Sequence, residues 1–115
     1  MPAKRNPLNL NPLQLRTLTL LQELARIAGK PAAEDAAGGG VAITELPNPH
    51  GDHFHLGEAV VAARDATGLH NPSVWAALER KGLIAPQLPQ AVILTALGQQ
   101  YDTGLREKIL HTAGH

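Results

Sequence analysis

The segment 71–98 constrains the fold most, because its capping residues mark where a helix begins and ends. Asn71 is typical of an N-cap, since its side-chain oxygen can accept a hydrogen bond from an amide of the first helical turn. Pro72 suits the first helical position, where a backbone N–H has no partner within the helix. Gly82 can adopt the left-handed conformation that closes a helix, which lets Leu83 pack back onto the preceding turn. The pattern therefore predicts a helix that begins at Asn71 and closes at Gly82.

A β-hairpin and a last helix are predicted after this helix. The first strand begins at Ile84, the second covers Val92 to Leu94, and a Pro- and Gln-rich tip joins them. Thr95 is suited to cap the last helix. An apolar stripe at every fourth position follows the cap and consists of Leu97, Tyr101, Leu105 and Ile109. The chain end, 111–115, is predicted to fray.

Two motifs in this segment resemble the second half of a winged helix-turn-helix domain of the MarR-like kind. Leu-Glu-Arg-Lys-Gly-Leu-Ile at 78–84 matches the end of that recognition helix, and Leu-Thr-Ala-Leu-Gly at 94–98 matches the start of its last helix. Together with the wing between them, the resemblance covers about a quarter of the chain. It implies an α+β winged helix-turn-helix fold and a DNA-binding transcriptional regulator.

Length and composition set the general limits. A chain of 115 residues is expected to form a single domain, 1–115, with one modest core. Ten Lys and Arg balance ten Asp and Glu, so any binding of nucleic acid depends on a local basic patch. No cysteine is present, which fits a reducing compartment. With no run of ~20 apolar residues, a cytoplasmic protein without a membrane partner is expected.

The first predicted helix is rich in leucine. It begins at Asn11, where Gln14 is placed to complete a capping box, and it ends at Gly29. A helical wheel separates an apolar face from a polar face. The apolar face consists of Leu13, Thr17, Leu20, Leu21, Leu24, Ile27 and Ala28, and the polar face of Arg16, Thr19, Gln22, Glu23 and Arg26. The excess of leucine favours a homodimer through the first and last helices, and the alternative is that these leucines only cover the monomer core.

An additional N-terminal β-hairpin is predicted between the first helix and the helix-turn-helix. The segment 31–40 has the composition of a flexible loop. Val41 to Leu46 is rich in β-branched residues, and 53–56 alternates polar and apolar side chains, so both are predicted strands. Phe54 and Leu56 should point inward and the histidines outward. A short helix from Glu58 to Thr67 would then open the helix-turn-helix.

The helix at 71–81 occupies the position of a recognition helix, which enters the major groove in this class of DNA-binding protein. Its core side should consist of Val74, Ala77 and Leu78. The DNA-binding candidates are His70, Asn71, Ser73, Arg80 and Lys81, with Lys4 and Arg5 from the basic start. The predicted wing tip has no Arg or Lys for phosphate contacts. Protein contact or ligand sensing therefore remains an alternative to sequence-specific DNA binding.

The segment from Pro49 to His55 has the most unusual composition of the chain. On a strand, His53 and His55 put two imidazoles on one face, a workable geometry for zinc, copper or nickel. His50 or Asp52 could add a third ligand. A pH-sensitive surface or a partner-contact hairpin is the alternative, because histidine changes charge near neutral pH.

Catalysis has little support from the sequence. No Ser or Cys nucleophile lies near the His and Asp residues of the predicted hairpin. The glycines at 38–40 precede a strand, whereas a phosphate-binding loop opens a helix. The chain is therefore predicted not to be an enzyme.

Overall fold

The computed structural model describes residues 7–31, 40–43, 52–56, 59–87 and 91–112, which form a mixed α+β fold. The helices are α1 (Pro12–Ala28), α2 (Pro72–Arg80), α3 (Ala96–Gln100) and α4 (Arg106–Ile109). The strands are β1 (Lys30–Pro31), β2 (Val41–Ile43), β3 (His53–Leu56), β4 (Ala59–Ala62), β5 (Ile84–Gln87), β6 (Ala91–Leu94) and β7 (His111–Thr112). Two 3-10 turns, Ala63–Asp65 and Thr67–His70, lie between β4 and α2. Within these ranges, every helix is too short or too polar to cross a membrane.

Helix α1 begins with the predicted capping box. The Asn11 side chain accepts a hydrogen bond from the Gln14 amide at 2.8 Å, and the Gln14 side chain accepts one from the Asn11 amide at 3.0 Å. These two bonds satisfy amides that have no partner within the helix. The helix ends at Ala28, where Gly29 donates its amide to the Ala25 carbonyl. The predicted start and end of the first helix are confirmed.

The predicted faces of α1 are correct only in part. Leu20, Leu21 and Leu24 are buried as expected, but Ile27 and Ala28 are exposed. Thr19 and Glu23, which were predicted on the polar face, are buried. The reason is that each finds a polar partner from the distant end of the chain, since Thr19 bonds to Thr103 and Glu23 to Arg106.

Strands β1, β2, β6 and β5 form one antiparallel sheet in that order. The hairpin of β5 and β6 pairs Ile84 with Leu94 and Ala85 with Ile93, so the predicted hairpin after α2 is confirmed. Strand β2 pairs with β6 through Val41 opposite Leu94. This pairing joins a strand near α1 to the hairpin that follows α2.

The second sheet has the order β3, β4, β7. Strand β3 pairs with β4, whereas the prediction paired 53–56 with the strand that begins at Val41, so the predicted N-terminal hairpin is wrong. The predicted helix Glu58–Thr67 is also wrong, because 59–62 is strand β4 and 3-10 turns follow. Residues 111 and 112 pair with β4 as β7, so the prediction that they fray is wrong too. The predicted loop 31–40 lies mostly outside the described residues.

Helix α2 has the predicted caps. The Asn71 side chain accepts a hydrogen bond from the Ser73 amide at 2.9 Å. At the other end Gly82 has a φ of 77°, its amide donates to the Glu79 carbonyl, and the Leu83 amide donates to the Leu78 carbonyl. This pair of backbone hydrogen bonds is the Schellman motif. The predicted core side is confirmed by the burial of Val74, Ala77 and Leu78.

The predicted continuous last helix is interrupted. Helix α3 ends before Tyr101, and Gly104 has a φ of 71°, which favours glycine and breaks the helical path. The break lets Thr103 reach Thr19, whose hydroxyl donates to Thr103 Oγ1 at 2.6 Å. Tyr101 and Ile109 are buried, but Leu97 is 49% exposed. The predicted stripe is therefore not one helical face.

One core joins both sheets to α1. Its members include leucines from α1, Leu56 and Val61 from the second sheet, and Leu83, Ile84 and Leu94 near the β5–β6 hairpin. Among the core leucines of α1, Leu18, Leu20 and Leu21 are at most 1% exposed. A single chain therefore covers most of the leucines of α1, while Leu13 and Leu15 are only partly buried.

Candidate functional site

The solvent side of α2 is the first candidate surface. It consists of Ser73, Ala76, Glu79 and Arg80, all exposed. Asn71, predicted as a DNA contact, uses its side-chain oxygen as the N-cap. The surface therefore offers one hydroxyl, one guanidinium and one opposing carboxylate to a partner.

The remaining DNA-binding candidates are not gathered on this surface. Lys81 is only partly exposed, and its Nζ donates to the Leu8 carbonyl at 2.5 Å, which ties the end of α2 to the N-terminal segment. The backbone of His70 lies in the second 3-10 turn, but its side chain is outside the described part, as are Lys4 and Arg5. Of the predicted basic contacts that the structure describes, Arg80 lies on the exposed surface of α2.

The second candidate site is the histidine pair on β3. His53 lies opposite Ala62 and His55 opposite Val60, so both side chains emerge on one face of the sheet. Leu56 lies on the other face and is buried, as predicted, while the side chain of Phe54 is outside the described part. The His53 Nε2 and His55 Nε2 atoms are 3.1 Å apart, and the two rings meet edge to face at 80°.

Asp52 contacts the ring nitrogen of His53 that does not face His55. Its Oδ1 lies 3.2 Å from His53 Nδ1, and this hydrogen bond lowers the pKa of the Asp52 carboxyl. A carboxylate on Nδ1 favours the tautomer in which Nδ1 carries the proton and Nε2 carries the lone pair. The backbone carbonyl of Asp52 accepts a hydrogen bond from the Ala63 amide at 2.8 Å, which anchors the cluster to the first 3-10 turn.

The separation of the two histidine Nε2 atoms fits two ligands of one metal ion, and it also fits a hydrogen bond between the two rings. Two Zn–N bonds of about 2.0–2.1 Å at a tetrahedral angle would place the nitrogens about 3.3 Å apart. The observed separation of 3.1 Å is close to that value. Among the described residues no group of three or more His, Cys, Asp and Glu side chains could hold a metal ion, and His50 lies outside them. The pair would therefore leave coordination positions for water or another ligand.

The sequence interpretation missed a third polar cluster, formed by Glu23, Arg26 and Arg106. The Glu23 side chain is 3% exposed and accepts hydrogen bonds from both arginines. The hydrogen bond from Arg26 lowers the pKa of Glu23, burial opposes this effect, and Arg106 adds to the lowering. The sequence signal for this cluster was a carboxylate, Glu23, between two leucines of a leucine-rich helix. Its partner Arg106 could not be identified from the sequence, because it is 83 residues away.

Comparison of the chain with protein families, with curated proteins and with solved structures finds no match.

Proposed function

We propose that the chain is a winged-helix DNA-binding domain of a transcriptional regulator, with α2 as the recognition helix and β5–β6 as the wing. In this domain, strand β4 and two 3-10 turns stand where the first helix of the helix-turn-helix was predicted. The observation that carries this proposal is the order β2, β6, β5 in a sheet whose hairpin follows directly from the cap of α2. In a winged helix, a strand that follows the first helix pairs with the returning strand of the wing. The pairing of Val41 with Leu94 has this relationship.

The charges on the docking surface favour weak binding. Arg80 is exposed on α2, and Glu79 beside it would repel phosphate. The chain as a whole has no net charge, so no long-range field draws it to DNA. Binding would then depend on a few phosphate contacts and fall steeply with salt, and Ser73 would add a hydroxyl at the helix start.

Fluorescence anisotropy with a pool of random-sequence duplexes at about 50 mM and about 200 mM salt tests this proposal. Arg80→Ala should weaken binding and reduce the salt slope by about 1. Lys108→Ala is the matched control, since it also removes one exposed positive charge but lies on α4. Equal affinity of the two variants and the wild type would show that α2 does not dock on DNA.

A second candidate function is metal or proton sensing at His53 and His55. The observation that favours it is the 3.1 Å separation of the two Nε2 atoms, with Asp52 on the far side of His53. Metal binding requires both nitrogens to be unprotonated, and protonation of both rings would instead drive them apart. Zinc or another divalent transition metal fits imidazole ligands.

A route from this pair to α2 can be traced through hydrogen bonds and packing. Asp52 is bonded to Ala63 at the start of the first 3-10 turn, and Asp65 in that turn lies 3.9 Å from Arg16 of α1. The second 3-10 turn packs on both α1 and α2, and Trp75 of α2 donates its indole N–H to the Leu69 carbonyl at 2.9 Å. A bound metal would shift α2 only if it prefers one of two arrangements of these turns.

Three further expectations remain predictions: a cytoplasmic location, the absence of catalysis, and a homodimer through the first and last helices. The leucine-based argument for the dimer is weaker, because one chain buries Leu18, Leu20, Leu21 and Leu24 of α1, whereas Leu13 and Leu15 are only partly buried. The exposed apolar side chains that remain nearby are Ile27 at 37% and Leu97 at 49%. Analytical ultracentrifugation of the wild type and of an Ile27→Ser, Leu97→Ser double variant tests the dimer. A dimeric wild type and a monomeric double variant would support it, and a monomeric wild type would contradict it.

A further inference from the structure

A pocket of about 390 Å³ lies between α1, β2, β6, α3 and α4, away from the histidine pair. Its polar lining comes from Gln22, Arg26, Gln99 and Arg106, and its apolar lining from Ala25, Val41 and Leu94. Pockets that hold small molecules typically measure about 300–1,000 Å³ and combine an apolar wall with a few placed polar groups. This pocket has both properties.

The charges at the pocket favour an anion. Arg26 and Arg106 both line it, while Glu23, which joins them, is almost fully buried and is not part of the lining. Two guanidinium groups and one carboxylate leave one net positive charge, and the positive groups are the ones that face the pocket. The side chains of Arg26 and Arg106 are 61% and 58% exposed, so a ligand can reach them.

The arginines are also held in place before any ligand arrives. Each is hydrogen-bonded to Glu23, and this fixes guanidinium groups that would otherwise lose side-chain entropy on binding. Gln22 is fixed as well, because its Nε2 donates to the carbonyls of Gly98 at 2.8 Å and Tyr101 at 2.7 Å. A guanidinium presents a planar fork of N–H donors that matches a carboxylate. Arg26 directs its Nε and Nη2 at Glu23, whereas Arg106 contacts Glu23 through Nη1, so Arg106 is the main contact for a ligand carboxylate and Arg26 adds its charge.

We propose that this pocket binds a small organic anion, with a carboxylate head group at Arg106 and Arg26 and an apolar body against Val41 and Leu94. The apolar wall distinguishes such a ligand from an inorganic anion, which would gain nothing from Val41 and Leu94. Leu94 ends β6 and Gln99 lies in α3, so a ligand would contact the returning strand of the β5–β6 hairpin. The site does not depend on the DNA-binding proposal.

NMR titration of the ¹⁵N-labelled full chain tests this site. Benzoate is the probe, benzamide is the neutral probe of the same shape, and inorganic phosphate is the anion without an apolar body. We expect saturable amide shifts at the pocket with benzoate, and affinities at least about tenfold weaker for the other two, as loss of a charged hydrogen bond or of apolar burial implies. Equal responses to benzoate and benzamide, or to benzoate and phosphate, would overturn the proposal.

Variants on α4 separate recognition from folding. Arg106→Gln should weaken benzoate binding by about tenfold or more, because it removes the charge and the fork. Arg106→Lys keeps the ion pair with Glu23 and therefore the fold, but it lacks the fork and should weaken binding by a smaller factor. Lys108→Gln is the control, since Lys108 is exposed on the same helix and does not line the pocket. If benzoate binds the folded Arg106→Gln and Lys108→Gln variants with equal affinity, Arg106 does not bind the ligand and the proposal is wrong.

Discussion

The Nζ atom of Lys81 donates to the carbonyl oxygen of Leu8 at 2.5 Å. The amide of Leu8 in turn donates to the Tyr101 hydroxyl at 3.0 Å, so both backbone polar groups of Leu8 are held by side chains from distant parts of the chain. Lys81 therefore fastens the N-terminal segment to the end of α2. Its neighbour Arg80 is exposed on the outside of the same helix.

Substitution of Lys81 should lower stability, whereas substitution of Arg80 should weaken DNA binding and leave stability almost unchanged. Lys81→Met should lower the free energy of unfolding by about 1–3 kcal/mol, because the Leu8 carbonyl loses a charged donor. Arg80→Met should change it by less than about 0.5 kcal/mol, as exposed positions usually do. Urea denaturation measures both values. A stable Lys81→Met variant with weakened DNA binding would instead make Lys81 the contact.

Truncation of Leu78 should be among the most destabilising changes in α2. Its side chain is fully buried, so Leu78→Ala should cost about 2–5 kcal/mol through lost burial and a cavity. Leu97→Ala, at a half-exposed position, should cost less than about 1 kcal/mol and serves as the control. A similar cost for both variants in urea denaturation would mean that α2 is rotated about its axis.

Gly98 should not tolerate a side chain. An added Cβ would lie 2.1 Å from the Leu83 carbonyl oxygen and 2.7 Å from Leu94 Cδ1, and the first of these is backbone that cannot move aside. Gly98→Ala should therefore cost about 1–3 kcal/mol, because α3 must shift away from the hairpin. Gly82→Asn is the comparison, since a Cβ there meets nothing within 4 Å and asparagine accepts the left-handed φ of 77°. Thermal unfolding should rank Gly98→Ala as the less stable variant.

Glu23 should make stability depend on pH. Its pKa is lowered in the folded state by the hydrogen bonds from Arg26 and Arg106, so the unfolded chain binds its proton more tightly. The stabilisation is therefore fully present above the ordinary glutamate value of about 4.5 and is lost as the pH falls through the lowered folded-state value. Glu23→Gln should remove this dependence and cost about 1–3 kcal/mol at neutral pH. Urea denaturation between acidic and neutral pH measures it, and parallel curves for the two proteins would contradict the assignment.

The histidine pair should bind a transition metal as a unit. Calorimetric titration with zinc, nickel and copper should give heats for the wild type that disappear in the His53→Ala, His55→Ala double variant. Asp52→Asn should weaken binding by about 10-fold or more, because the carboxylate on Nδ1 orients the His53 ring. Acidification should also weaken binding, since protonated imidazoles hold no metal. Indistinguishable heats from wild type and double variant would leave β3 a structural feature.

The parts of the fold that follow from local signals could be predicted from sequence. The starts of α1 and α3 and both ends of α2 depend on Asn11, Thr95, Asn71 and Gly82, whose capping bonds connect neighbours along the chain. The alternation of His53 and His55 with Leu56 is local in the same way. These predictions needed no knowledge of which strands pair.

The errors come from a hairpin of neighbouring strands, β3 and β4, that was not predicted, and from contacts between residues that are distant in sequence. Val60 and Val61 favour a strand and their alanine neighbours a helix, and the pairing of β4 with β3 and with 111–112 decides between them. A helical wheel places Thr19 and Glu23 on the polar face, because it contains no information on their partners Thr103 and Arg106, which are more than 80 residues away. The arginine-lined pocket was missed for the same reason.

The pairing of β7 with β4 has a practical consequence for how the protein is purified. Residues 111 and 112 pair with the strand whose other edge is paired with His53 and His55, so a polyhistidine affinity tag at this end of the chain would be attached one strand away from the histidine strand. Such a tag would supply extra imidazoles to any metal bound there and would raise the apparent affinity through its high local concentration. Metal titrations are therefore best made with a cleaved tag or with one placed ahead of α1.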